Sequence, residues 1–189
     1  TMIDLHIITP ISRPENIAVI ADNLSSVCKE LKPIWYCCFD AGVKIPKQPK
    51  GITYGFWGKA KKKSFSGNSS RNQMLDLFQS GWTYFLDDDN LLHPNFEKHF
   101  LAALQEHPDA QWFIFDQVRK DGSLYLEATP QPIVNHVDSG QCVLKRELIG
   151  SLRFIEHYYA ADGVLYTSLL LESEPIVIKK IATYYNALR

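Results

Sequence analysis

Two apolar runs with a helical stretch between them set the fold class. MIDLHIIT at residues 2–9 reads as a buried first strand, and IWYCCFD at 34–40 is a second apolar run ending at Asp40. Between them Ile17, Ile20, Leu24, Val27 and Leu31 recur at helical spacing up to Pro33, the signature of an amphipathic helix. Strand, helix, strand opens an α/β fold. Ser12, with Glu15 three residues on and Pro14 between them, reads as a capping box at the helix start.

The alternation continues. Residues 44–67 are rich in Pro, Lys and Gly around a short strand-like ITYGFW. Asn68 or Ser69 is placed to cap a helix carrying Met74, Leu75, Leu77 and Phe78, which Gly81 ends. Residues 82–86 read as a strand, and His93-Pro94-Asn95 starts a helix with Phe96, Phe100, Leu101 and Leu104 on one side. WFIFDQV is a further strand, and Lys120-Asp121-Gly122-Ser123 a turn leading into SLYLEA. A strand-like IVNHV, a short element around QCVLKREL, a helix over 161–171 and a last strand, PIVIKKIATYY, complete the chain. With no repeat, low-complexity tract or composition break, residues 1–189 are expected to form one mixed α/β domain.

Composition narrows the partners. A formal charge of −1 gives no general pull toward nucleic acid or an acidic membrane surface. No apolar run approaches the roughly 18 residues of a transmembrane segment, and the N-terminus lacks the regions of a signal peptide; Thr1 is expected to be an addition ahead of a native Met2. Cys28, Cys37, Cys38 and Cys142 have no metal-ligand spacing and read as buried thiols in a reducing compartment. A cytoplasmic location is the expectation.

The chemistry is concentrated in YFLDDDN, residues 84–90. An aromatic strand that ends in Asp87, Asp88 and Asp89 places three like charges side by side, and either water, Lys or Arg, or a bound cation must relieve them. Ligands of open α/β sheets bind outside the carboxyl ends of the strands. Asp40 ends one predicted strand and the three acids end another, so both are expected at one crevice. Mg²⁺ and Mn²⁺ take oxygen ligands, commonly one or two carboxylates plus substrate phosphates. Arg71 and Asn72 near a helix start suit a phosphate, and the run KAKKK at 59–63 reads as a solvated loop or a lid over nucleotide. The acids do not match an EF-hand, which needs a following Gly and a distant Glu.

TPISRPEN after the first strand, CFDA after the second, then SSRNQML, YFLDDDNLLHPNFE and YYAADGVLY occur in the order seen in GT-A glycosyltransferases. The set resembles the large inverting family usually numbered family 2, and RNQMLDLF…YFLDDDN is also similar to glucuronyltransferases with a DDD form of the DxD motif. The resemblance spans roughly residues 2–170 and implies a Rossmann-like mixed sheet flanked by helices. It also implies a donor that is a nucleoside-diphosphate sugar, a UDP-sugar first, a saccharide or other hydroxyl acceptor, and Mn²⁺ or Mg²⁺. By position it puts Pro10 on the nucleotide pocket, Asp40 at the base, Arg71 at the pocket or diphosphate, and Asp88 near the ribose. Asp89 would bind the metal with Asp87 buttressing both, and Asp162 would be the general base, with Asp138 the alternative. Ala161 stands where the family has Glu, and Gly140-Gln141 matches an acceptor loop.

Three further readings stay beside it. A sugar-nucleotide-forming nucleotidyltransferase would want a Gly-rich basic loop where TPISRPEN stands. A non-catalytic nucleotide-sugar or carbohydrate-binding module on the same fold is the alternative from another class. His136 and His157 read as structural rather than as metal ligands, and Trp57, Tyr158 and Tyr159 as packing residues that are also able to stack on a sugar or base.

Overall fold

A computed structural model describes residues 2–63 and 65–189; Thr1, with the expectation attached to it, and Ser64 lie outside the described residues. Among the described residues nine strands form one mixed sheet: β1 (Ile3–Ile11), β2 (Leu31–Phe39), β3 (Thr53–Lys59), β4 (Trp82–Phe85), β5 (Leu91–Leu92), β6 (Trp112–Arg119), β7 (Leu124–Leu126), β8 (Cys142–Lys145) and β9 (Ile176–Tyr185). The order is β3-β2-β1-β4-β8-β6-β9-β5, with β7 paired to β6. The helices are α1 (Ile17–Val27), α2 (Asn68–Leu75), α3 (Phe96–Glu106), α4 (Arg146–Ile149) and α5 (Ala161–Leu169).

Strand period decides how the layers stack. On β1, Leu5, Ile7 and Ile11 join one apolar cluster and Ile8 the other. On β2, Trp35, Cys37 and Phe39 face one way, Tyr36 and Cys38 the other. Because side chains alternate across a strand, each run buries both faces and needs a helical layer on each. α1 and α3 cover the first face through Ile17, Ile20, Leu24, Phe96 and Phe100. α2, α4 and α5 cover the second through Met74, Leu75, Ile149, Leu165, Tyr166 and Leu169. All four cysteines are free and buried; burial pushes the Cys28 thiol up to about 12.

Parallel pairing brings the functional ends together. β1 and β2 run in register to Ile11↔Phe39, and β1 and β4 to Ile8↔Phe85. The Asp40 amide then donates to Ile11 O at 2.9 Å, and the Leu86 amide to Ile8 O at 3.0 Å. Residues following three neighbouring strands therefore emerge on one edge.

Several local expectations are corrected. The Ser12–Glu15 capping box is not made: a 3-10 turn at Pro14–Asn16 precedes α1 without a side-chain cap, because Ser12 is held by Asp88. The helical spacing does not carry to Leu31, since α1 ends at Val27 and Leu31 opens β2. Neither Asn68 nor Ser69 is the N-cap of α2. Gly67 is, at φ 74°, and a Cβ there would come within 2.7 Å of Pro10. That helix stops at Leu75, so Leu77 and Phe78 lie beyond it. IVNHV forms turns, with Asn135 at φ 67°, and α5 ends at Leu169 rather than 171.

Candidate functional site

A cleft of about 460 Å³ opens at the carboxyl edge of β1, β2 and β4, and its lining contains Pro10, Asp40, Arg71, Asp87, Asp88, Asp89 and Asp162, the residues given nucleotide, metal and base roles above, together with Asp138. The cleft also takes in Arg13 and Arg189, which local sequence did not flag.

Each acid of the DDD run has its own surroundings. Asp88 is buried, and its Oδ2 accepts from the Ser12 amide at 2.7 Å, the Ser12 hydroxyl at 3.0 Å and the Arg13 amide at 2.7 Å. Its Oδ1 accepts from Arg13 Nη1 at 2.6 Å, and Asn16 Nδ2 donates to its carbonyl at 2.8 Å. Asp88 thus stitches the loop after β1 to the end of β4. Asp87 is paired with Arg71 Nη2 at 2.5 Å. Arg71 sits a turn into α2, buried, where it also donates to Ser66 O and Asn68 Oδ1. Burial works against its charge, and the neighbouring Asp87 carboxylate more than offsets that. Asp89 accepts from Arg189 Nε at 2.6 Å, with Arg13 Nη1 3.4 Å away. Backbone bonds from Leu188 to Asp89 O and from Asn186 to Asn90 Oδ1 hold Arg189 against the acids.

Six carboxylates (Asp40, Asp87, Asp88, Asp89, Asp138, Asp162) line the cleft against three guanidiniums (Arg13, Arg71, Arg189). Burial, more than this imbalance, sets how the acids ionise. Burial, then the charge of Asp88, raises Asp40 above the usual carboxylate range. Burial and Asp87 raise Asp89 despite Arg189 and Arg13. Asp162 is raised chiefly by burial, although its Oδ1 accepts from the Gly163 amide at 2.8 Å at the start of α5.

Asp138 lies at the start of the turn before β8. Gln117 Nε2 at 2.9 Å and the Gly140 amide at 2.8 Å donate to its Oδ2, and burial, followed by Asp87, pushes it up to about 7. Gly140 is required there: a Cβ would meet Gln117 Nε2 at 2.7 Å and Asp138 Oδ2 at 3.0 Å. Folding holds a proton on this carboxyl between the unfolded value of about 3.9 and the folded value of about 7. Its stabilising contribution is therefore complete below that window and lost as pH rises through it. Asp138→Asn keeps an acceptor and cannot ionise, so it is expected to flatten the fall in stability between about pH 4 and 7, by at most about 1.4 kcal/mol per pH unit. Urea titrations at several pH values measure this; an unchanged slope would refute it.

Other sequence assignments fall elsewhere. The Asn72 side chain is taken up by both backbone groups of Phe154, at 2.9 and 2.8 Å, so it holds the 150–160 loop rather than a phosphate. Lys59, Lys61, Lys62 and Lys63 do not line the cleft, and Lys62 pairs with Glu156 at 2.6 Å. His136 and His157 are exposed and outside the lining. Trp57 packs edge-on against Phe39 and Tyr54. Tyr159, by contrast, is 79% exposed on the cleft rim.

This is the fold of nucleotide-sugar glycosyltransferases of the GT-A type. Residues 1–349 of TarS from S. aureus superpose with a TM-score of 0.74 at 14% identity, over 96% of this chain and 60% of that one. The mannosyltransferase PcManGT from Pyrobaculum calidifontis, solved with GDP-Man and Mn²⁺, gives 0.67 at 12%, over 96% and 56%. Glucosyl-3-phosphoglycerate synthase from Mycobacterium tuberculosis, solved with Mg²⁺ and UDP, gives 0.59 at 14%, over 97% and 71%. The chain spans about 60% of the length of the TarS fragment it matches. No protein-family model and no curated protein sequence matches it.

Proposed function

We propose that the chain is a single GT-A domain that transfers a sugar from a nucleoside-diphosphate sugar, a UDP-sugar first, to an acceptor hydroxyl with inversion, using Mn²⁺ or Mg²⁺. The observation that carries this is the charge of the cleft. A diphosphate is an anion, yet it must enter a cleft with six carboxylates and three guanidiniums, each of the latter already paired with one of the DDD acids. A divalent cation reconciles the two.

The donor set suits such an ion. Among the described residues no group of three or more His, Cys, Asp or Glu is arranged to hold a metal by itself, so the ion would need substrate phosphates to complete its shell. Asp89 would hold it in exchange for Arg189, with Asp87 alongside. Bound there, the ion would neutralise charge developing on the departing diphosphate. Pro10 and Asp40 would line the nucleoside side, and Asp88 would hold the Ser12–Arg13 loop beside the ribose. Arg71 would keep Asp87 in place and add positive charge. Asp162 would take the proton of the acceptor hydroxyl.

Thermal unfolding against UDP, UDP-glucose, UDP-GlcNAc and GDP-mannose, with and without Mn²⁺, tests the reading. A ligand at about 100 times its Kd adds roughly 2.7 kcal/mol, a rise of about 5–10 °C for a domain of this size. The rise is expected to need both metal and one nucleotide, and to vanish in Asp89→Asn. No rise with any pair would sink the proposal. A rise without release of nucleoside diphosphate in the presence of acceptors would leave the binding-module reading instead.

A further inference from the structure

Another part of the cleft lining is aromatic. Tyr125 and Tyr185 lie face to face, ring centroids 3.8 Å apart and 9° from parallel, and both line the cleft. Tyr159 is within electrostatic reach of Tyr125 and faces the same space, 79% exposed. Among the described residues no ring stacks on it, and its loop is firmly held. Asn68 Nδ2 donates to the carbonyls of Ile155 and Tyr158, and Asn72 bonds both backbone groups of Phe154. A large aromatic surface on an anchored loop at a cleft mouth is a preformed contact surface, at little entropic cost on binding.

Charge says what that surface faces. The charged groups lining the cleft beside these rings are the Asp138 and Asp162 carboxylates and Arg189, and the three guanidiniums of the lining are committed to Asp87, Asp88 and Asp89; Arg119 lies over the Tyr125 ring, 5.1 Å from its centroid, outside the lining. A phosphorylated or carboxylated molecule entering here would meet like charge with no free cation among the described lining residues. An uncharged sugar ring fits both features. Its C–H face lies on an aromatic ring, and its hydroxyls donate to carboxylates, which when ionised only accept.

Resting on the transferase reading above, we infer that Tyr159 and the Tyr125–Tyr185 pair form the acceptor subsite, and that the acceptor is an uncharged saccharide rather than a phosphorylated or acidic one. Tyr125, Tyr159 and Tyr185 line the same cleft as Asp162.

The test uses the full chain with UDP and Mn²⁺ on a printed glycan panel holding neutral, phosphorylated and uronic-acid-containing oligosaccharides. Neutral glycans are expected to bind, Tyr159→Ala to weaken them about tenfold, and Tyr159→Phe, which keeps the ring, to restore them. Because Tyr159 is at the surface, the variant is expected to fold, and the metal-dependent UDP shift in thermal unfolding checks that it has. Binding confined to charged glycans, no glycan binding, or neutral binding that Tyr159→Ala leaves unchanged would each overturn the inference. If the UDP shift persists in those cases, the transferase reading stands without this subsite; if the shift is absent from the wild-type chain, both fall.

Discussion

Asp162→Asn is expected to lower turnover by about 10³-fold while leaving the metal-dependent nucleotide shift in place, since a positioned general base contributes typically 10²–10⁴-fold. Asn is nearly the same shape and its Oδ1 accepts from the Gly163 amide as the carboxylate does at 2.8 Å, so the start of α5 is preserved. What is lost is the ability to take a proton, and a factor of 10³ corresponds to about 4 kcal/mol of barrier. The pH profile carries a second mark. Burial holds Asp162 above the usual carboxylate range, and a base works only when ionised. Activity is therefore expected to fall as pH drops through that raised value, at a higher pH than an exposed Asp would give. Asp138→Asn is the comparison that names the base. If it abolishes turnover and Asp162→Asn does not, the proton goes to Asp138, and the Gln117 and Gly140 donors on Asp138 are what set the profile.

The parts of this arrangement that were legible in the sequence are those written in short-range pattern. Short continuous apolar runs predicted β1, β2, β4 and β6, and the rule that ligands gather at carboxyl ends put Asp40 and the DDD run at one edge; the register of β1 with both neighbours delivers that. The failures share one cause, a partner distant in sequence. Ser12 looked like a helix cap because Glu15 follows at the right spacing, but Asp88, 76 residues away, offers a full carboxylate to its amide and hydroxyl. Val134 and Val137 suggested a strand, yet the backbone turns through Asn135 at a positive φ. Arg13 and Arg189 carry no local signal at all, and their importance exists only because β4 ends between the loop after β1 and the chain segment after β9. A basic residue following each of two predicted strands was the one available hint.

Helix α1 illustrates the same contest in energetic terms, and it leads to the largest stability effect expected of a residue outside the cleft. Leu31 lies four positions after Val27, so an isolated peptide has reason to continue the helix. In the folded chain the amides of Lys29, Glu30 and Leu31 instead donate to one oxygen, Glu97 Oε2 on α3, at 2.7, 2.9 and 2.8 Å. Glu97 is only 8% exposed, so the three bonds are shielded from competing water. Hydrogen bonds to a charged group contribute roughly 1.5–3 kcal/mol each, and water reaching the Lys29 and Glu30 amides recovers part of their share. Glu97→Ala is therefore expected to cost about 3 kcal/mol, seen as a drop in Tm of about 6–12 °C for a chain of this length. Glu97→Gln keeps a neutral acceptor of the same shape and is expected to lose about half as much. Urea unfolding at neutral pH reads both, with the m-value unchanged because the surface exposed on unfolding is the same. A Glu97→Ala chain within 0.5 kcal/mol of the parent, inside the roughly 0.5 kcal/mol spread of ordinary surface changes, would mean that the turn from α1 into β2 is held by the apolar packing of Val27, Leu31 and Phe100 and that the carboxylate merely fits it.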